Sequence, residues 1–202
     1  MKRITLAITG ASGAIYSLRT LRALLICGCH VDLIVSDYGW MLLKDEAGFD
    51  GKRSDLRSFL ADAYGQAVEA GELEQHNFHD LASPLASGSV RSDGMAVVPC
   101  TMKALSGVAH GSSGNLIERA ADVALKERRT LILVPREAPF NLIHLRNLLA
   151  AAEAGAIILP AMPAFYQKPR TFDDLADFIA GRVLNLLHIP HELFSPWKSE
   201  KD

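Results

Sequence analysis

This sequence has few cysteines, no long apolar run and no large excess of positive or negative charge. The three cysteines, Cys27, Cys29 and Cys100, form no even disulfide framework and no recognised metal-ligand spacing, which indicates reduced thiols in a cytoplasmic protein. No stretch approaches the roughly 18 apolar residues needed to cross a bilayer, so we expect a soluble protein without a membrane partner. The formal net charge is -2, whereas nucleic-acid proteins usually carry a strongly basic face, so nucleic acid is not an expected partner.

Several catalytic signatures are also missing. The chain has neither a G-x-S-x-G elbow nor an H-E-x-x-H helix, so a serine triad or a catalytic metal has no support. His76 and His79 form an H-x-x-H pair without a carboxylate or cysteine partner, and we interpret them as a surface pair rather than as metal ligands. The sequence therefore predicts no metal site.

What the 202 residues do contain is a regular alternation of short β-branched runs and helical periods. This alternation predicts an α/β fold of the Rossmann-like (flavodoxin-like) kind, with a mostly parallel sheet and helices on both faces in three αβα layers. We expect one domain over residues 1–202, with an insertion or cap at about 50–91 and a mobile tail at 195–202. The predicted strands span residues 4–8, 31–35, 95–99, 130–134 and 156–159, and the predicted helices span residues 15–27, 38–46, 55–69, 102–109, 115–128, 142–154 and 172–187.

The carboxyl ends of such strands usually bind the ligand, and the first strand runs into the turn TGASGA at residues 9–14. Glycines allow close backbone approach, and the N–H groups at the start of the next helix suit a mononucleotide phosphate. A plain βα turn is the alternative. The dinucleotide spacing and the P-loop lysine are absent. Ser36, followed by Asp37, ends the second strand, which disfavours nicotinamide binding without excluding it.

Candidate cation sites lie further along the chain. Arg119 and Lys126 are seven residues apart, so they share one helical stripe, although Glu118 or Asp122 could simply pair with them. Arg136, beside Glu137, follows a buried strand, where it can bind a phosphate or another polar ligand group, or form an exposed ion pair.

Arg182 is the most informative cation, because Phe178, Ile179 and Leu186 around it predict an apolar helical face turned toward the protein body. A guanidinium placed there needs an anion, which is either a nearby carboxylate such as Asp174 or Asp177, or a bound phosphate.

Six strings in order resemble the UbiX/Pad flavin prenyltransferases: TGASGA, ASGS, PCTMKAL, NLIERAADVALKERR, VPREAPF and PAFY. The resemblance covers nearly the whole chain and is weakest at residues 50–80. It implies an enzyme that joins a dimethylallyl group from dimethylallyl phosphate to N5 and C6 of reduced FMN without a metal. It also implies a homododecamer with ligands at subunit interfaces, and a UbiD-type decarboxylase that receives the prenylated FMN.

The resemblance also implies residue roles. For FMN binding it points to Gly10, Ala11, Ser12, Ser36, Thr101, Met102, Lys103, Ala104 and Arg136; for dimethylallyl phosphate to Tyr166, Arg182, Ser87, Gly88, Arg119 and Lys126; and for catalysis to Glu137, Lys126, Arg119, Glu46 and Ser12. Thr101 stands where the family usually has serine, so the hydroxyl is kept. The rival hypotheses are a non-catalytic FMN carrier, a flavin-dependent cysteine decarboxylase, whose catalytic His and P-x-M-N-x-x-M signature are not seen, and a nicotinamide dehydrogenase.

Overall fold

A computed structural model describes residues 1–195, so most of the predicted tail lies outside the described residues. Six parallel strands form one sheet in the order β3-β2-β1-β4-β5-β6. The strands are β1 (Arg3–Ile8), β2 (His30–Val35), β3 (Glu72–His76), β4 (Gly94–Cys100), β5 (Leu131–Pro135) and β6 (Ile157–Ile158), and the helices are α1 (Ala14–Ile26), α2 (Asp37–Ala47), α3 (Leu56–Tyr64), α4 (Met102–Ala109), α5 (Leu116–Lys126), α6 (Leu142–Glu153) and α7 (Phe172–Leu186).

Helices cover both faces of the sheet and bury two apolar clusters. Side chains of α1, α2, α3 and α7 pack on one face, and those of α4, α5 and α6 pack on the other. The predicted αβα layers are therefore confirmed. The strand order reverses between β1 and β4, and in open parallel sheets ligands bind beyond the carboxyl ends of strands at such a reversal.

Residues 50–91, predicted to hold one helix, differ most from expectation. The predicted helix 55–69 stops at Tyr64, because Gly65 adopts a left-handed φ of 82°, and a short 3-10 helix, Gln66–Ala70, follows. The segment also supplies the unpredicted edge strand β3, which pairs with β2. Its sequence ELEQH has no β-branched residue, and Leu73 is its one half-buried apolar side chain, so neither composition nor apolar periodicity indicates a strand.

A buried charged network joins β3 to the centre of the sheet. Asp32 in β2 is fully buried, and its carboxylate accepts hydrogen bonds from Arg3 Nε at 2.6 Å and Nη2 at 2.7 Å. His76 Nε2 lies 2.9 Å from Asp32 Oδ1, and the His76 side chain is only 8% exposed. The interpretation of His76 and His79 as a surface pair is therefore wrong for His76, because the unpredicted strand β3 turns it inward.

Within residues 1–195, no helix is long and apolar enough to span a membrane.

Candidate functional site

A crevice of about 390 Å³ opens at the carboxyl edge of the sheet, at the reversal between β1 and β4. Its walls come from the ends of β1, β2 and β4, from the loop after β3, and from the first turns of α2, α4 and α5. The lining residues are Thr9, Gly10, Ser36, Asp37, Tyr38, Phe78, His79, Thr101, Lys103, Ala104, Asn115, Ile117 and Glu118. Because three helix N-termini meet here, the crevice suits an anionic ligand.

The glycine turn that follows β1 is shaped for close approach. A Cβ on Gly10 would collide with Tyr38 Cβ, so only glycine fits at this wall of the crevice. Gly13 has a left-handed φ of 119°, which lets the chain turn sharply into α1.

The start of α1 is already occupied by a side chain of the same protein. Glu46 Oε2 accepts hydrogen bonds from Gly13 N at 2.8 Å and Ala14 N at 2.9 Å. The expectation that these N–H groups are unpaired and open to phosphate is therefore wrong. Partial burial raises the pKa of Glu46, but hydrogen bonds from Ser12, Ala14 and Gly13 and the positive charge of Arg136 outweigh it, and the pKa is lowered overall. Glu46 thus acts as an ionised anchor of the turn.

Arg136 and Glu137 follow β5 at the same edge of the sheet. Arg136 Cδ lies 3.5 Å from the position that a Cβ on Gly13 would take, so the guanidinium stem runs along the glycine turn. Glu137 is exposed, and its Oε1 accepts a hydrogen bond from its neighbour Ala138 N at 3.0 Å. The exposed Arg–Glu pair that the sequence left open is not among the ion pairs of the described residues.

Two hydroxyls of the crevice are held by helix caps. Ser36 Oγ accepts from Gly39 N at 3.0 Å, and Thr101 Oγ1 accepts from Ala104 N at 3.1 Å. Each hydroxyl keeps a proton that it can donate to a ligand. Among the other predicted FMN contacts, Ala11 and Met102 are buried, whereas Ser12 and Lys103 are exposed.

A first group of predicted substrate residues meets along α5. Arg119 Nε donates to Ala86 O at 3.0 Å and so joins α5 to the loop that carries Ser87 and Gly88. The backbone of Gly88 runs so close to α5 that an added Cβ would lie 2.6 Å from Lys126 Nζ. Two of these cations have carboxylate partners, which was the alternative to a ligand site: Arg119 Nη1 binds Asp122 at 2.6 Å, and Lys126 Nζ binds the neighbouring Glu127 at 2.5 Å.

Tyr166 and Arg182 lie with α7 on the opposite face of the sheet. The buried stripe of α7 includes Ile179, Val183 and Leu184, and Arg182 lies outside it, exposed to solvent. The prediction that Arg182 faces the protein body is therefore wrong: its helical neighbours Phe178 and Leu186 are only half buried and form the margin of the stripe. Tyr166 is 45% exposed and packs edge-on against Phe178, with 6.0 Å between ring centroids.

Eight of the thirteen crevice residues were not assigned as ligand contacts from the sequence: Thr9, Asp37, Tyr38, Phe78, His79, Asn115, Ile117 and Glu118. Phe78 and His79 follow the unpredicted strand β3, so nothing in the sequence placed them at the ligand edge. Asn115 could have been found, because its Oδ1 caps α5 by accepting from Glu118 N at 3.0 Å, and an Asn before a helical period is a start signal.

Comparison with known proteins gives a consistent picture. The family model described as Flavoprotein matches residues 1–184. The chain is 46% identical over 198 residues to a flavin prenyltransferase UbiX of Halalkalibacterium halodurans, covering 98% of this chain and 94% of that protein. AnUbiX (PadA1), crystallised with FMN and dimethylallyl pyrophosphate, is 42% identical with a TM-score of 0.86, covering 99% of both chains. A dodecameric FMN-dependent UbiX-like decarboxylase from Escherichia coli O157:H7 is 36% identical with a TM-score of 0.84, covering 98% of this chain and 100% of that one.

Proposed function

The chain belongs to the UbiX family of flavin prenyltransferases, and we propose that it joins a dimethylallyl group from dimethylallyl phosphate to N5 and C6 of reduced FMN. The observation that carries this proposal is the crevice at the β1/β4 reversal, whose lining includes five of the residues that match the family's FMN contacts: Gly10, Ser36, Thr101, Lys103 and Ala104. Its volume of about 390 Å³, its glycine wall and its converging helix N-termini fit a flat ring system that bears a phosphate.

We assign the two ends of the crevice to different parts of FMN. Gly10, Ala11 and Ser36 offer backbone N–H groups and a hydroxyl to the phosphate, at the end where α2 begins. Thr101, Met102 and Ala104, at the start of α4, border the ring system, with Lys103 at the rim. Bound reduced FMN supplies the electron-rich atoms that accept the prenyl group.

Beside the glycine turn, Ser12 and Arg136 lie close to Glu46, whose carboxylate accepts hydrogen bonds from Ser12 and from the backbone of the turn. Because the pKa of Glu46 is lowered, this carboxylate is a weak base, and we assign it a positioning role. Glu137 is exposed and directly follows Arg136 in the chain, so the proton is assigned to Glu137 or to the released phosphate rather than to Glu46.

A single chain does not assemble the second anion site. Arg119 and Lys126 lie on the face covered by α5, whereas Tyr166 and Arg182 lie on the face covered by α7. Lys126 also follows the crevice residue Ile117 by nine helical positions, which is roughly 13 Å along α5. We therefore propose that different subunits supply these residues to one site in a homododecamer.

Exposed apolar side chains support this assembly. Helix α6 turns four of them to solvent, each at least half exposed, and a large exposed apolar patch marks an interaction surface. They are Leu142, Ile143, Leu145 and Leu149.

Positive charge is what the assembled site contributes to the chemistry. When the C–O bond of the ester breaks, its electron pair goes to the departing phosphate, and Arg119, Lys126 and Arg182 stabilise the charge that develops there. The Tyr166 hydroxyl donates a further hydrogen bond. Loss of one preorganised group of this kind usually costs about 100- to 1000-fold in rate.

The decisive experiment incubates the protein anaerobically with reduced FMN and dimethylallyl phosphate and searches by mass spectrometry for a flavin heavier by one prenyl unit. Lys126→Gln and Arg182→Gln should each abolish the product while FMN stays bound. Arg57→Gln is the matched control, because Arg57 pairs with Glu69 away from the crevice. A normal yield from either of the first two variants would refute the assigned cation group.

The product serves a UbiD-type decarboxylase in this proposal, with both proteins in the cytoplasm. A non-catalytic FMN carrier would bind FMN equally well but would form no heavier flavin, so the same experiment separates the two functions. A nicotinamide enzyme would need Asp37 free for a ribose, whereas Asp37 Oδ2 lies 2.8 Å from His79 Nε2.

A further inference from the structure

An acidic side chain stands where the flavin phosphate should bind. Asp37 is the first residue of α2, lines the crevice, and follows Ser36 directly. Glu118 is a second carboxylate of the lining, and Lys103 is the one lysine or arginine among the described lining residues. Among the lining side chains, two carboxylates therefore face one lysine, which is unfavourable for a ligand that carries a phosphate.

Two cationic or ionisable side chains cover Asp37 from the segment that resembles the family least. His79 Nε2 lies 2.8 Å from Asp37 Oδ2, and Arg53 Nη2 lies 3.6 Å from Asp37 Oδ1. His79 and Arg53 both lie outside α2, and each contacts a different oxygen of the Asp37 carboxylate.

The covering side chains are themselves held in place. Arg53 lies over the ring of Trp40 in α2, with its Cζ 5.3 Å from the ring centroid. His79 N donates to Asn77 Oδ1 at 3.0 Å, and the adjacent Phe78 accepts at its carbonyl from Leu116 N at 2.9 Å, which joins the loop to α5. The loop after β3 thus spans the crevice from α2 to α5.

We propose that His79 and Arg53 set the affinity for FMN by engaging both oxygens of the Asp37 carboxylate, through a hydrogen bond from His79 and the positive charge of Arg53, so that the phosphate can bind beside an acidic residue. The inference rests on the proposed placement of FMN in this crevice. It adds two affinity-determining residues from residues 50–80, where the resemblance is weakest. All three side chains are more than half exposed, so solvent screens their charges and the effect is modest.

Titrations by quenching of flavin fluorescence test the inference, with FMN and riboflavin as the two probes. His79→Gln and Arg53→Gln should each weaken FMN binding by about 2- to 5-fold. Riboflavin, which has no phosphate, should bind as before, and the loss for FMN should shrink in high salt.

Asp37→Asn should bind FMN at least as tightly as the wild type, and His79→Gln should have no further effect in that background. Arg57→Gln is the control for removing a cation from the same segment, and Asp50→Asn is the control for removing an acid that pairs elsewhere, with Lys44 at 2.6 Å. Neither control should change the affinity for FMN.

Three results would overturn the inference: unchanged FMN affinity in His79→Gln and Arg53→Gln, equal losses for FMN and riboflavin, or a loss in His79→Gln that persists with Asp37→Asn. If the wild type binds and prenylates FMN but one of these three results is obtained, only the role proposed for His79 and Arg53 is refuted. If the wild type binds no FMN, the proposed function fails with it.

Discussion

Replacing Asp32 with Asn should destabilise the protein by an amount that can be worked out from the structure. Burial raises the pKa of Asp32, but contacts with His76 and Arg3 outweigh burial and lower it from 3.8 to about 2. Since one pKa unit corresponds to about 1.4 kcal/mol, the ionised carboxylate contributes about 2.5 kcal/mol at neutral pH. In a domain of this size that is a decrease of roughly 5–10 °C in Tm.

The pH dependence follows from the direction of the shift. A carboxyl whose pKa is lower in the folded than in the unfolded protein stabilises the fold at pH above the unfolded value, and the contribution is lost as pH falls through the folded value. The difference between wild type and Asp32→Asn should therefore be full at about pH 7 and roughly half as large at about pH 3.

Thermal unfolding followed by circular dichroism measures both differences. All samples are kept at one protein concentration, because the proposed assembly would make Tm depend on concentration. Asp50→Asn is the control, since Asp50 is exposed and should leave Tm unchanged. A Tm within about 1 °C of the wild type for Asp32→Asn, or a difference independent of pH, would refute the reasoning.

Two further predictions concern Gly88 and the cysteines. A Cβ on Gly88 would displace Lys126 Nζ and the carboxylate of Glu127, which are the ends of flexible side chains. Gly88→Ala should therefore keep a nearly unchanged Tm and bind FMN, but its prenylation rate should fall by at least about 10-fold. An unchanged rate would show that Lys126 does not take part in the chemistry. Burial raises the pKa of Cys100 to about 12, whereas Cys27 is exposed. Iodoacetamide in mildly alkaline buffer should therefore label Cys27 and leave Cys100 unmodified until the protein unfolds, which peptide mass spectrometry measures. Prompt labelling of Cys100 would contradict its burial.

The sequence predicted those strands and helices whose formation is indicated by their own residues and by the residues that flank them. Strands β1, β2, β4 and β5 are buried on both faces, so they appear as mostly apolar runs, interrupted in β2 by Asp32. The helix caps Ser36 and Thr101 follow β2 and β4. The same logic located the ligand edge, because parallel strands place all their carboxyl ends together. The crevice was accessible to prediction for that reason.

Edge elements could not be predicted in this way. Strand β3 exists because β2 offers it a hydrogen-bonding partner and because Asp32 binds His76, and neither interaction leaves a periodic signal in ELEQH. With β3 missed, the loop carrying Phe78 and His79 could not be placed at the crevice. The position of this loop therefore depends on the pairing of β3 with β2 and on the contact between His76 and Asp32.

The direction of Arg182 shows a different limit. Periodicity identified α7 correctly, but it did not distinguish the stripe of Ile179, Val183 and Leu184 from the margin formed by Phe178 and Leu186. Both stripes are apolar, and only the packing of α7 on α1 selects the first. Phe178 and Leu186, which form the margin, are half buried within a single chain.

That margin bears on how the second anion site is organised. A guanidinium flanked by half-buried apolar side chains is costly to bury alone, and Arg119 and Lys126 on the other face would repel it if brought close without an anion. A phosphate between them reverses the sign of that interaction, because each cation then has a charge-assisted hydrogen bond in a partly dry interface. In the proposed homododecamer, dividing the cations between subunits avoids repulsion within each chain, and the full positive field would exist only in the assembled, ligand-binding state.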